Sequence, residues 1–390
     1  MNKRSYIIIL LAWTLGNYSI LLIMPALPKI AADFHISTRL AQLTISIFLL
    51  GKAISIIPWG IISEKLGRKP VFILGLLIFS LASLFTALCS NIYILLIGRF
   101  LQGVGVGATV LMGRAMVNDT QNEQQAIKKF AFFFSLSGIF ICFIPLIGSY
   151  ITTYYNWPIA FVIMAIYSAI LFIYCPGISE TRPKNLANIT VLDSMLLVFK
   201  NRLFVSYLLI SALMMAGESA FNTCASFILI KHAHYSITTF SNIKTMMSIL
   251  YVIGTLACGF LIKYWRSDFL VSIGIRLFIG TACLMWFFYF FNYTVEITFV
   301  LPMMIYYFGT GFIVASATAA AVRPFPKHMA IALAFSLFCQ FNISALFSLL
   351  SSLIAIESVK PFMILISSIS ILALLTWYQR PAPLKAVLIS

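Results

Sequence analysis

Apolar stretches of about 20 residues alternate along the chain with short polar or charged breaks, and a helix of that length crosses about 30 Å of hydrocarbon. Twelve such stretches stand out, at roughly 5–27, 40–62, 71–89, 92–114, 129–151, 157–175, 204–230, 238–262, 269–291, 297–321, 329–350 and 361–379. Helix is the form expected of each, because hydrocarbon leaves every backbone N–H and C=O to be satisfied within the segment. Alternating segments of about ten residues, the mark of a membrane barrel, are absent. The first stretch follows Lys3 and Arg4 as a signal peptide would, but it is too long for a signal core and lacks a small-residue cleavage site.

The longest polar break, about 176–203, divides the stretches into two sets of six. The halves echo each other: Gly60 before Glu64 to Lys69 has a counterpart in Gly259 before Lys263 to Arg266, and Gly105 and Gly107 in span 4 recur as Gly309 and Gly311 in span 10. A parallel six-plus-six repeat predicts an all-α membrane protein of two six-helix bundles, with a binding site near mid-membrane between them. The expected units are an N-terminal bundle over 1–175, a cytoplasmic central loop over 176–203, a C-terminal bundle over 204–379 and a cytoplasmic tail over 380–390.

Composition excludes a soluble fold, since 9% of residues are charged where a soluble surface needs about 25%. A net charge of +16 could point to nucleic acid, but the 26 Lys and Arg sit in short clusters between apolar runs. With the N-terminus in the cytoplasm, most fall on the inner side, among them Lys65, Arg68, Lys69, Lys128, Lys129, Arg182, Lys184, Lys200 and Arg202, while Lys29, Arg39, Lys231 and Lys360 fall outside. That bias predicts cytoplasmic termini and a lipid bilayer, with no nucleic acid partner. Trp59, Trp265 and Trp377 near inner span ends and Trp157 near an outer one suit interfacial anchors. All seven cysteines lie in apolar segments without metal-ligand spacing, so reduced thiols, no metal and no cofactor are expected.

An ionisable residue at a helix centre costs about 2.5–3.5 kcal/mol on insertion scales, so each one needs a reason. Glu218, near the middle of span 7, is the only acid well inside any span; Lys52 lies near the middle of span 2, Arg99 in the outer half of span 4, Lys244 in the outer part of span 8 and Arg276 in the inner part of span 9. Arg276 can snorkel to the inner surface near Asp268, and Lys244 can reach the outer surface. Lys52 and Glu218 are too deep for that escape. They either pair and lock the halves together or change their pairing during transport. Lys52, Arg99, Glu218 and Lys244, with Met214, Met215 and Phe221 flanking the acid, are the expected substrate cavity, although the Met and Phe equally suit packing. Three cations facing one acid favour anionic or zwitterionic solutes over lipophilic cations. His232 and His234 read as solvated loop residues. Gly103, Gly105 and Gly107 read as close helix packing, and without a GKS or GKT motif no ATP drive is expected. No nucleophile, base and orienter come together, so no enzyme is expected.

At Gly60, Glu64, Gly67, Arg68, Lys69 and Pro70 the chain resembles the signature loop between spans 2 and 3 of the major facilitator superfamily. Pro25 and Pro28 ending span 1, Gly98 to Gly103 in span 4, Asn118-Asp119, Pro145 and Gly148 in span 5, and Asn156-Trp157 opening span 6 are similar to the bicyclomycin/chloramphenicol resistance (Bcr/CflA) group of drug:proton antiporters. The resemblance implies the major facilitator fold in a bacterial inner (cytoplasmic) membrane. It further implies a gating loop of Gly60, Glu64, Gly67, Arg68 and Lys69, a part for Arg99 in proton coupling, and packing or hinge roles for Gly103, Gly105, Gly107, Pro145 and Gly148. Two positions depart from the group: Leu21 stands where a span 1 carboxylate is common, and Ile144 and Ser149 stand where the span 5 motif usually has glycines. Glu218 is then the expected carrier of the coupling proton, with Asp119 as the other route.

The function expected is proton-coupled secondary transport by alternating access, as efflux of multidrug type or of an anionic, siderophore-type metabolite. The same fold permits proton-coupled uptake of a small anionic or zwitterionic solute. A transport-inactive receptor or scaffold is the reading from another class. A monomer acting on a small-molecule substrate and protons is expected.

Overall fold

The computed structural model describes residues 3–120, 123–182, 198–322, 325, 329–353 and 358–381. Most of the expected central loop and tail lies outside these residues, as do Lys184 and the side chains of Lys128 and Lys129. Twelve long helices follow one another: α1 (Lys3–Leu21), α2 (Thr38–Leu66), α3 (Arg68–Ala87), α4 (Ile92–Thr120), α5 (Glu123–Tyr154), α6 (Pro158–Tyr174), α7 (Arg202–Ser226), α8 (Ile237–Leu261), α9 (Ser267–Phe290), α10 (Leu301–Val322), α11 (Met329–Leu353) and α12 (Lys360–Gln379). Eleven helical segments are long and apolar enough to cross a membrane, and Gly138–Tyr154 of α5 is a further apolar helix. Among the described residues there is no strand.

Helix starts follow local chemistry. Ser37, Asn201 and Ser236 accept hydrogen bonds from the backbone N–H groups of Leu40, Phe204 and Thr239, satisfying donors that a first turn leaves open. Proline opens α6 and α12, where its missing N–H costs nothing. The first span continues beyond α1 through a tight turn at Met24–Ala26 into Leu27–Asp33.

Glycine sets how closely the helices of each bundle cross. A Cβ on Gly103 would overlap the Phe48 carbonyl oxygen of α2, one on Gly107 would overlap Ser55 of α2, and one on Gly105 would stand 2.6 Å from the Gly75 oxygen of α3. The second bundle repeats this pairing: Gly311 meets Gly254 and Thr255 of α8, and Gly309 meets Gly274 and Leu277 of α9. The echo between spans 4 and 10 is thus a contact echo, with one glycine of each pair facing the second helix of its bundle and the other facing the third. In α5, Gly148 lies against the Leu22 carbonyl of the first span, three residues after Pro145.

Because twelve long helices run back and forth, the start of α1 and the end of α12 share one face, called here the terminal face. The bundles meet chiefly through α2 against α11 and α5 against α8. Their hydrogen bonds among the described residues are Lys231 Nζ to Thr38 Oγ1 (3.1 Å), Gln42 Nε2 to Cys224 Sγ (3.8 Å), Ser46 Oγ with Ser348 Oγ (2.8 Å), and Thr245 Oγ1 to the Cys142 carbonyl (3.0 Å). The first three lie in the half away from the terminal face, where α2 begins and α7 and α11 end. Thr223 extends the hydroxyl chain by bonding Ser348 (2.8 Å).

Candidate functional site

Lys52 is the central residue of the 29-residue α2, and Glu218 sits midway along the span Arg202–His232. The Glu218 side chain is half-buried, and among the described residues it accepts no hydrogen bond and forms no ion pair within 4 Å. The locked Lys52–Glu218 pair is therefore not what the structure holds. The carboxylate instead interacts electrostatically with Lys52 from the first bundle and with Lys244, Tyr251, Tyr306 and Tyr307 from the second.

Lys52 is 7% exposed, and its ammonium lies 3.6 Å from the centroid of the Phe341 ring on α11. This contact joins the bundles at their middle. Lys244 corrects the expectation that it reaches the outer surface: it is 1% exposed and donates to the Tyr307 hydroxyl at 2.6 Å. Its ammonium also faces the rings of Tyr307 and Phe221, 4.3 and 5.2 Å from their centroids. Phe221 stacks on Phe299 and meets Tyr307 edge-on, so it serves as a wall of this aromatic cage. Met214 is buried and its carbonyl accepts from Tyr306 (3.1 Å), whereas Met215 is half-buried. A Cβ on Gly217 would overlap the Tyr306 hydroxyl, so the glycine beside Glu218 makes room for that tyrosine.

Arg99 is not a cavity wall. It is wholly buried inside the first bundle, donating from Nε to the Thr44 carbonyl (3.1 Å) and from Nη1 to Ser19 (2.7 Å) and Gln102 (2.8 Å), while Gln102 donates to Ser83 (2.7 Å). The Phe48 and Phe161 rings flank the guanidinium at 4.5 and 5.8 Å. This network ties five spans to one permanently charged group. Arg276 is exposed, as a snorkelling side chain requires.

Sequence reasoning passed over Arg114. The apolar run was read as ending there, but α4 continues to Thr120, which carries Arg114 inward over the Trp13 ring (4.3 Å to the centroid) and into electrostatic range of Lys52.

A second polar cluster occupies the terminal face. Gly67 joins α2 to α3 at φ +101°, a conformation that side chains rarely adopt. The carboxylate of Glu180, beyond the end of α6, accepts from the backbone N–H groups of Arg68 (2.9 Å) and Lys69 (3.1 Å), and so caps the N-terminus of α3. Partial burial raises the Glu180 carboxyl, but the N–H groups of Arg182, Arg68, Lys69 and Thr181 outweigh it and hold the group below the ordinary glutamate value. The ionised cap is therefore complete at neutral pH and is lost as pH falls through that lowered value. Arg68 pairs with Asp119 (3.4 Å) and reaches Ser63 (2.5 Å). Burial lifts the Asp119 carboxyl and Arg68 only partly offsets it. Lys69 donates to the Pro176 carbonyl (2.9 Å). Glu64 makes no hydrogen bond or ion pair among the described residues, and a Cβ added at Gly60 would meet only Leu111, at 3.8 Å. Glu180, like Arg114, was missed; an acid closing the first bundle opposite a basic loop was its signal.

A side chain at position 67 would meet Glu180 Oε2 at 2.5 Å and force a strained backbone, at a cost of about 1–3 kcal/mol. Gly67→Leu should insert normally yet lose transport, checked by fluorescence-detected size exclusion beside a vesicle flux assay. Full flux would remove the loop from gating.

Of the expected site residues, Glu218 interacts electrostatically with Lys52 of the first bundle and Lys244 of the second, and Phe221 walls the Lys244 cage inside the second bundle; Asp119, Arg68 and Lys69 gather at the terminal face; Arg99 stands apart from both. A groove of about 360 Å³ between Ser46, Leu50, Asn342 and Leu346 opens sideways along the α2–α11 seam and not onto Glu218.

The sequence model of the Major Facilitator Superfamily matches residues 5–348. Multidrug resistance protein D of Escherichia coli (strain K12) is 26% identical over 328 residues, covering 83% of this chain and 82% of that protein. Multidrug resistance protein MdtL of Salmonella paratyphi B is 32% identical over 210 residues, covering 51% of this chain and 53% of that protein. Among solved structures, a D-xylose-proton symporter superposes with a TM-score of 0.78 at 15% identity over 97% of this chain and 98% of that one. The xylose transporter XylE from E. coli, in a partially occluded inward open conformation, gives 0.74 at 13% identity, with 97% of each chain covered. The second of these likenesses is one of fold alone, as is the first; the family match carries more, and this multi-pass membrane protein, a transporter and not an enzyme, belongs to the major facilitator superfamily.

Proposed function

We propose that the chain is a proton-coupled secondary transporter of small molecules that works by alternating access in a bacterial inner membrane, with both termini in the cytoplasm. The carrying observation is Glu218, the only acid in the middle of the spans, set between a lysine of each bundle without a fixed ion pair. An ionised Glu218 attracts Lys52 across the seam and favours closure there; a proton removes that attraction, and the bundles can part. Contacts such as Ser46–Ser348 and Lys231–Thr38 hold the half away from the termini, which supports an inward-facing arrangement. Relatives named for multidrug resistance support export as the direction. A second reading, uptake together with a proton, is favoured by Lys52, Lys244 and Arg114 outnumbering Glu218, because a proton on the acid then assists an anion.

The test is flux in proteoliposomes of known orientation. An imposed pH gradient should drive accumulation of a transported solute, and collapse of the gradient by an ionophore should abolish it. Accumulation against the proton flow assigns export, and accumulation with it assigns uptake. Binding without any gradient-driven flux would leave the receptor reading.

A further inference from the structure

We infer that the bilayer-facing side of α9 binds an anionic phospholipid whose phosphate is held by Arg276. Arg276 lies nine residues, about 13 Å of helix, past Ser267. Its Cα is therefore at hydrocarbon depth, where a charge without a partner is costly. Lys52, Arg99, Arg114 and Lys244 meet that cost by turning inward, to Phe341, to Ser19 and Gln102, to Trp13 and to Tyr307. Arg276 is exposed instead, and makes no hydrogen bond or ion pair among the described residues. Asp268, the acid of its own helix, is already engaged: it accepts from the Tyr207 hydroxyl and pairs with Arg266 (3.7 Å).

The exposed side of α9 faces the bilayer. The helix packs on α10 and α12 of its own bundle, and Phe269, Arg276, Cys283 and Phe287 form one exposed line along it. Helical side chains lean toward the N-terminus, which for α9 is at the terminal face, so the guanidinium is carried toward the headgroups. At that level Lys263 and Arg266 of the α8–α9 turn are exposed, and the exposed Trp265 and Phe269 rings meet edge to face at 5.1 Å, as interfacial anchors do. One turn deeper than Arg276, a Cβ on Gly280 would meet nothing within 4 Å, which leaves a notch for an acyl chain. A guanidinium gives two parallel N–H donors to phosphate oxygens. Lys263, Arg266 and Arg276 together favour a lipid of net negative charge over one whose own ammonium opposes them. A soluble anion would have to leave water to reach Arg276, whereas acyl chains already anchor a lipid phosphate at the interface.

Native mass spectrometry of the detergent-purified full chain tests this, with phosphatidylglycerol and phosphatidylcholine of the same acyl chains as the two probes. The first phosphatidylglycerol adduct should be the tighter one, and Arg276→Gln should weaken it by about fivefold or more while leaving the phosphatidylcholine adduct as it was. Arg276→Lys, which keeps the charge without the paired donors, should retain part of the preference. Lys360→Gln, exposed at the far end of α12, should retain all of it. Excess inorganic phosphate should not displace the lipid. The substitutions touch no packed interface, and size exclusion checks that each variant is folded. Equal binding of the two lipids by the parent chain overturns the inference without recourse to any variant. An unchanged phosphatidylglycerol adduct in folded Arg276→Gln, or displacement of the lipid by inorganic phosphate, overturns it as well.

Discussion

Glu218→Gln is expected to bring pH-gradient-driven accumulation down to the level of protein-free vesicles while leaving substrate-for-substrate exchange in place. Glutamine keeps the size and the apolar stem but can neither carry a proton nor attract Lys52 across the seam. Exchange needs only the loaded form, which the neutral amide mimics. Gradient-driven accumulation needs the carboxylate to take a proton on one side and release it on the other. Glu218→Asp, with the charge set back by one methylene, should retain part of the driven flux. Driven accumulation surviving in the glutamine variant would move the proton to Asp119, which lies beside Arg68 at the terminal face.

Gly103→Leu should yield little or no folded protein, the largest structural effect expected of any single change here. A Cβ there overlaps the Phe48 carbonyl oxygen and stands 2.8 Å from the Lys52 backbone nitrogen. Backbone cannot swing aside as a side-chain tip can, so α4 must lift off α2. Overpacking of this kind costs about 1–3 kcal/mol and sometimes more, and the displacement would also carry Lys52 away from Phe341. Gly259→Ala, where nothing lies within 4 Å of the added carbon, is the matched control. Size-exclusion profiles and thermal unfolding of tagged protein give the answer, and a Gly103→Leu variant as well folded as the control would refute the packing argument.

The twelve spans were legible because hydrocarbon thickness sets run length, and the structure moves their ends by up to six residues. The repeat was legible too: Gly105 and Gly107 announced Gly309 and Gly311, and both pairs face corresponding helices. Facing direction was the limit elsewhere. Arg99 and Lys244 look alike in sequence, each an isolated cation in the outer part of a span, yet one is tied wholly inside the first bundle and the other is caged by Tyr307 and Phe221 near the seam. Linear order states depth but not azimuth, and azimuth depends on partners far away in the chain. Arg114 was lost for a different reason. Its charge ended the apolar run, so the reading stopped six residues short of Thr120, while backbone hydrogen bonding carries the helix on.

A membrane potential acts on fixed charge at the seam. In the proposed alternating-access cycle, the charges of Lys52 and Lys244 sit at the inner potential when the site opens to the cytoplasm and at the outer one when it opens outside. Each uncompensated positive charge then separates the two arrangements by about 2.3 kcal/mol per 100 mV if the whole field falls across the closed side. An interior-negative voltage therefore holds the unloaded carrier facing the cytoplasm. Were uptake with a proton the mode of transport, a proton and a monoanion arriving together would leave that net charge unchanged, so voltage would set the direction in which the carrier waits without driving its load.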